Sequence, residues 1–354
     1  MVANYYLGMV RTEALGGAKG KTGGYKFDNM LIKAIKDAGY PILFGQIRFK
    51  TYRLLIAYFD RENFYAGMQF GLEHPRDVAL ADFVVAIGAS LYMPRVIVLP
   101  HSETFRMIRY RLKGVNDELK PLYSCKTAMR TILWRKALEV IGKDSLGKRA
   151  VVLCYTDSQR DMLQNVFPKA KVVVLPPGIE LPPVKGNVNK VYDVVIPITW
   201  WKVCPEGLYR VVSKLTQMGL RVLIRDYSNS AMIRNIAQKA NAHYKAFSED
   251  PKEYYLDLAS AKVALNVSVF ETLGFRLVDA IRVGTPVVSL FREWIETVPK
   301  LDELSSITAF DYEELLRKQV QETSVYTYDN FIKAFKANFP FETLDKGVGV
   351  LSWV

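Results

Sequence analysis

The chain has 354 residues, half of them hydrophobic, a formal net charge of +12 and three cysteines. This length suits two domains that each bury a core, and the hydrophobic content excludes global disorder. Cys125, Cys154 and Cys204 are odd in number and scattered, so they fit reduced cytosolic thiols rather than a disulfide framework or a paired-cysteine metal site.

The first ten residues are too soon interrupted for a secretory signal, and no apolar run approaches the roughly 20 residues of a membrane span. The expectation is a cytoplasmic protein, at most peripheral to a membrane. Tyr5–Val10 reads as a strand, followed by a glycine-rich loop over 16–24 and an amphipathic helix over Phe27–Ala38 that stops at Gly39. Further apolar runs at Pro41–Phe44, Leu54–Tyr58, Phe83–Ile87 and Arg95–Leu99 continue the strand set. Cys125–Val140 reads as a basic amphipathic helix. Ala150–Tyr155 and Lys171–Leu175 are strands flanking a helix.

Pro and Gly between 176 and 186 interrupt both helix and sheet and mark a linker. The alternation then restarts. Strands are expected at Asp193–Ile198, Arg221–Arg225, Ala264–Val267 and Thr285–Leu290, with helices at Leu208–Met218, Ala231–Ala240 and Gly274–Arg282. A late helix covers Tyr328–Phe339. Alternating strands and helices predict an α/β fold with parallel sheets covered on both faces.

The positive charge is concentrated. Between Phe105 and Arg149, 12 Lys/Arg face 4 Asp/Glu, a balance that favours an anionic partner such as lipid head groups, nucleic acid or phosphorylated glycans. A solvated basic surface is the plain alternative. Gly16-x3-Gly20-Lys21-Thr22 approaches a P-loop but is one residue short, with Leu15 where the first glycine belongs. No Asp-x-Asp occurs and the three histidines are far apart in sequence, so no metal site is expected.

The strongest motif runs from Ser268 to Ala280 and on through Gly284-Thr285-Pro286-Val287-Val288. A strand ends, Glu271 occupies the turn, and a helix begins near Gly274, whose free N–H groups suit a diphosphate. Asp279 follows eight residues later, about two helical turns on. The segment resembles the Glu-x7-Glu motif of retaining GT-B glycosyltransferases, the group that includes sucrose synthase and mannosyltransferases, with Leu273 for the usual Phe and Asp279 for the second Glu. Val151–Glu180 and the Gly23-Gly24 loop with its following helix are similar to the same family in order and spacing.

The resemblance implies two Rossmann-like domains facing a cleft: an acceptor domain over 1–176, a nucleotide-sugar domain over 190–325, and a C-terminal helix within 328–354 returning to the first domain. It implies sugar transfer with retention from a UDP- or GDP-sugar to a glycan, lipid or protein acceptor, with no cofactor and no metal. By position, Glu271 would bind the donor sugar. The backbone of Thr272, Leu273, Gly274 and Phe275 would hold the diphosphate, and Asp279 the ribose. Gly23 and Gly24 would close over the phosphates, and His101 would stand near the anomeric carbon.

One departure weakens the likeness. The family's Arg and Lys after the first strand of the second domain are replaced by Thr199-Trp200-Trp201-Lys202-Val203-Cys204-Pro205-Glu206-Gly207, so Lys202 supplies one cation and Arg225 or Arg276 a second. Glu206 stands where the Lys belongs, and an acid there opposes departure of a diphosphate. Rival readings are a catalytically degenerate scaffold, a nucleic-acid binder using Arg48–Tyr58 and Arg106–Arg111, and a nucleotide-sugar epimerase. An anionic membrane surface is a further expected partner, through Trp134 and the basic residues around it.

Overall fold

A computed structural model describes residues 5–8, 30–31, 33–35, 37, 42–44, 67–69, 71–73, 78–93, 95–99, 110–116, 150–179, 182, 188–248, 250–269, 271 and 273–338. Within them, strands β1 (Tyr5–Gly8), β2 (Ile42–Phe44), β3 (Val78–Asp82), β4 (Arg95–Leu99), β5 (Ala150–Cys154) and β6 (Lys171–Val174) make one sheet in the order β2-β1-β3-β4-β5-β6. Strands β7 (Tyr192–Ile198), β8 (Val222–Asp226), β9 (His243–Lys245), β10 (Ala261–Asn266) and β11 (Val287–Ser289) make a second, β11-β10-β7-β8-β9. All pairings are parallel. These are the two Rossmann-like sheets that the alternation predicts.

The strands are continuous apolar runs because both faces are covered. Every residue of β5 and of β8 is buried. Around the sheets lie α1 (Phe83–Ser90), α2 (Asp157–Val166), α3 (Pro205–Gln217), α4 (Ala231–Lys239), α5 (Pro251–Ala259), α6 (Phe275–Arg282), α7 (Tyr312–Thr323) and α8 (Tyr328–Asn338). Local sequence explains their starts. Thr156 caps α2 by accepting from Gln159 N at 3.2 Å, while Gln159 Oε1 accepts from Tyr155 N at 2.8 Å, a reciprocal cap. Pro205 and Pro251 open α3 and α5 at positions whose N–H would have no helical partner anyway. Asp311 accepts from both Glu313 N and Glu314 N to start α7. On α3, Leu208, Val211, Val212 and Leu215 form the buried stripe.

Phe83–Ile87 departs from the expected strand. It begins α1, and β3 is the run just before it. Ala86 to Ser90 are all buried, and the sequence FVVAIGAS shows no period that separates the helix from a buried strand. The short edge strand β9 and the helix α7 have no counterpart among the expected elements. The thiol expectation is corrected at Cys204, which is disulfide-bonded. Cys154 is free, and burial pushes its thiol up to about 12. No helix among the described residues is long and apolar enough to cross a membrane.

Two features tie the halves together. Gly178, past β6, is pressed so closely by α8 that an added Cβ would lie 2.8 Å from Tyr328 Cα and from Met30 Sδ. Arg282 of α6 donates to the carbonyls of Ile179 and Tyr326, and Ile179 N donates to Tyr326 O at 3.0 Å. Elsewhere, residues 110–116 of the first half lie on the second. Val115 belongs to the core cluster beneath α3 and α4, and Asn116 Nδ2 donates to Asp302 O at 3.0 Å.

Candidate active site

In the second sheet the chain runs from β7 to one side (β8, β9) and later returns to the other (β10, β11). The crevice beyond the carboxyl ends of β7 and β10 is therefore the topological switch point, where open α/β sheets hold ligands. The turn after β7 carries Lys202, the loop after β10 carries Glu271, and Val269 N donates to Lys202 O at 2.8 Å to fix the two loops together.

Glu271 is 6% exposed and holds two cations. Lys202 Nζ donates to its Oε2 and Arg276 Nη2 to its Oε1, each at 2.8 Å. Burial pushes the carboxyl up, but Lys202 and Arg276 outweigh it and hold the pKa at about 2. The side chain is ionised at any physiological pH. Arg276 also donates to Thr199 Oγ1 at 2.9 Å and lies 5.1 Å from the Tyr227 ring centroid.

Gly274 starts α6 from the left-handed region, φ 74°, with the added Cβ of any other residue 2.8 Å from the Leu277 side chain. Glycine is required there on both counts. It sets the start of α6 next to Glu271, whose carboxylate Arg276 in the first turn reaches. Leu273 is fully buried, and Phe275 meets the Tyr155 ring edge-on at 5.5 Å. Asp279 is buried at 4% exposure and accepts from Tyr254 Oη at 3.0 Å. Tyr254 in turn packs edge-on against Tyr227.

The displaced charge of the sequence motif resolves here. Glu206 lies in the first turn of α3 with its side chain 76% exposed and its carboxylate on Arg210 at 2.9 Å, a solvent-facing pair. Arg276 stands with Lys202 as the second cation. Arg225 does not; it is buried against Asp257 at 3.2 Å. Gly23, Gly24, His101, Thr272, the P-loop-like stretch and Trp134 with the helix around it lie outside the described residues.

No protein-family model matches the sequence. No curated protein matches it. Solved structures do match in shape. A sucrose-phosphate synthase from Thermosynechococcus elongatus is 13% identical with a TM-score of 0.57, covering 97% of this chain and 96% of its own. A trehalose-6-phosphate protein from E. coli bound with UDP-2-fluoro glucose is 11% identical with a TM-score of 0.60, covering 98% and 99%. The pneumococcal O-GlcNAc transferase GtfA, in complex with UDP and GlcNAc, is 13% identical with a TM-score of 0.50 over 80% of this chain. The fold is GT-B. At such identity the likeness carries the fold and nothing finer, and the chain spans 60% of the length of the O-GlcNAc transferase.

Within this GT-B chain, sequence reasoning missed Arg111, counted there as part of a basic surface. It is fully buried and donates to Val269 O at 2.8 Å, Ser268 O at 3.1 Å and Glu293 Oε1 at 2.9 Å. It holds the loop that leads to Glu271, and its charge contributes to keeping Glu271 ionised. Glu293, Tyr227 and Tyr254 were likewise not singled out. Their roles arise from packing between distant segments and leave no local sequence signal.

Proposed function

We propose that the protein is a glycosyltransferase that moves a sugar from a nucleotide-sugar donor to an acceptor with retention at the anomeric carbon and without a metal. One observation carries this reading: Lys202 and Arg276 converge within hydrogen-bond distance of the buried Glu271 at the switch point, beside the N-terminus of α6. Two cations and the positive end of a helix suit a diphosphate, whose charge grows as the bond to the sugar breaks. Once the diphosphate takes up Lys202 and Arg276, the Glu271 carboxylate is released to accept from donor-sugar hydroxyls. The backbone of Thr272, Leu273, Gly274 and Phe275 holds the phosphates, and Asp279 accepts from the ribose. The acceptor oxygen forms the new bond to the anomeric carbon, and its proton passes to the departing diphosphate.

The UDP-2-fluoro glucose in one matched structure, and the UDP with GlcNAc in another, support a UDP-sugar donor for this chain. Gly23, Gly24 and His101 enter on the family resemblance alone. So do the domain limits, 1–176 and 190–325 with the 328–354 segment returning to the first domain. Peripheral attachment to an anionic membrane through the basic 105–149 stretch is part of the proposal; failure to float with anionic vesicles at low salt would remove it.

Thermal shift with UDP, GDP and ADP, with and without EDTA, tests the donor site. Ligand that binds the native state raises the midpoint. The expected result is a metal-independent shift with one nucleotide, reduced in Lys202→Ala and Arg276→Ala. No shift with any nucleotide would favour a degenerate GT-B scaffold.

A further inference from the structure

Both cations on Glu271 are reached by one loop, residues 226–230 at the carboxyl end of β8. Asp226 fixes that loop. It is fully buried, and its carboxylate accepts from Ser228 N at 2.8 Å, Ser228 Oγ, Ser230 N at 2.6 Å and Tyr244 Oη at 3.2 Å. Such charge-assisted bonds hold the loop in one shape. Tyr227 N also donates to Ile198 O at 3.0 Å, which ties the loop to the end of β7.

Two successive residues of the loop then serve the two cations. Ser228 Oγ accepts from Trp200 N at 3.0 Å, at the start of the turn that carries Lys202. Tyr227 carries Arg276, whose guanidinium lies over its ring at 5.1 Å from the centroid. Tyr254 meets the same ring edge-on at 5.2 Å. Arg276 Nη1 donates to Thr199 Oγ1 at 2.9 Å, and Nη2 to Glu271 Oε1 at 2.8 Å. The guanidinium is therefore held by a ring and a hydroxyl as well as by the carboxylate. Only the bond to Glu271 has to change partner when a phosphate arrives. The Tyr227 hydroxyl is buried and has no hydrogen-bond partner among the described residues, so the ring is the part in use.

We infer that Tyr227 is a positioning residue for Arg276, and Ser228 for the turn that carries Lys202, so that this loop sets the preference for a nucleoside diphosphate over its monophosphate. The inference rests on the transferase reading for what the cations bind, and on these contacts alone for how they are held. Arg276 pairs with Glu271, which takes the donor sugar in that reading, so the phosphate it meets is the one next to the sugar. A monophosphate lacks that group.

Titration calorimetry on the full chain, with UDP, GDP, ADP and their monophosphates, tests it. Tyr227→Leu is expected to weaken the diphosphate that binds by roughly three- to tenfold, the cost of ordering one long side chain on binding, and its monophosphate by less than about twofold. Tyr227→Phe keeps the ring and is expected to match wild type. Thr199→Val removes another hold on Arg276 and serves as the second variant should Tyr227→Leu fail to fold; the same selective loss is expected. In an Arg276→Ala background Tyr227→Leu has no further effect, and in Lys202→Ala neither has Ser228→Ala, because the group acted upon is gone. Equal weakening of diphosphate and monophosphate, a loss in Tyr227→Phe as large as in Tyr227→Leu, or full effects in those backgrounds overturns the inference. Urea unfolding reads the same arrangement without nucleotide. Glu271→Gln is expected to change the unfolding constant at least about threefold less in Tyr227→Leu than in wild type, since a loosened Arg276 holds the carboxylate less firmly. That coupling with no nucleotide binding overturns the transferase reading and leaves the positioning in place. Nucleotide binding with neither coupling nor selective loss does the reverse, and absence of both overturns both.

Discussion

Replacing Glu271 by Gln keeps the shape and removes the charge between Lys202 and Arg276. A buried carboxyl held at about 2 against an ordinary 4.5 is 2.5 pH units low, and at about 1.36 kcal/mol per unit its ionised form contributes about 3 kcal/mol to folding at neutral pH. Because the folded pKa is the lower one, this contribution is complete above pH 4.5 and fades as the pH falls from 4.5 towards 2. Urea unfolding of wild type and Glu271→Gln at several pH values reads it directly. The variant is expected to be less stable by about 3 kcal/mol at pH 7, and the gap to shrink to about half of that by pH 3. Equal stabilities at pH 7, or a gap that does not change with pH, would show that the two cations do not hold this carboxylate. The reasoning from charge would then fail, whatever the variant does to activity.

Gly274→Ala forces a Cβ onto the Leu277 side chain in a left-handed backbone. It is expected to cost about 1–3 kcal/mol by urea titration and to reduce the nucleotide-induced thermal shift; an unchanged midpoint and shift would remove the role given to this turn. Arg111→Ala leaves the Glu293 carboxylate buried without its cation, at a cost of about 3–5 kcal/mol. Adding Glu293→Gln should restore a large part of that loss, and a double variant no more stable than the single would refute the pairing.

Much of the fold is legible in the chain because parallel strands buried on both faces leave unbroken apolar runs, as at 150–154 and 192–198, while helices carry a stripe and a cap. Where both signals coincide the reading fails: Phe83-Val84-Val85-Ala86-Ile87 is apolar without period, so its pattern does not separate a helix from a buried strand. The site divides in the same way. Glu271, Gly274 and Asp279 form one contiguous motif, so their spacing exposes them. Lys202 lies 69 residues from its carboxylate, and Arg111 is 182 residues from Glu293. Nothing local marks an arginine in a basic run as the one to be buried. Glu206 misled in the opposite sense, since its position in the motif suggested the crevice while its helix turns it to solvent.

The 110–116 segment has a consequence for how the molecule can be divided. A cut in the linker would separate the sheets in sequence but not in space, because Val115 would remain in the far core and Arg111 under the far loop. Neither half is a self-sufficient product. Expressed as two polypeptides cut in the linker after Ile179, the halves are expected to complement each other: the first brings Val115 and Arg111 to the second, and the second brings Arg282 to the Ile179 carbonyl.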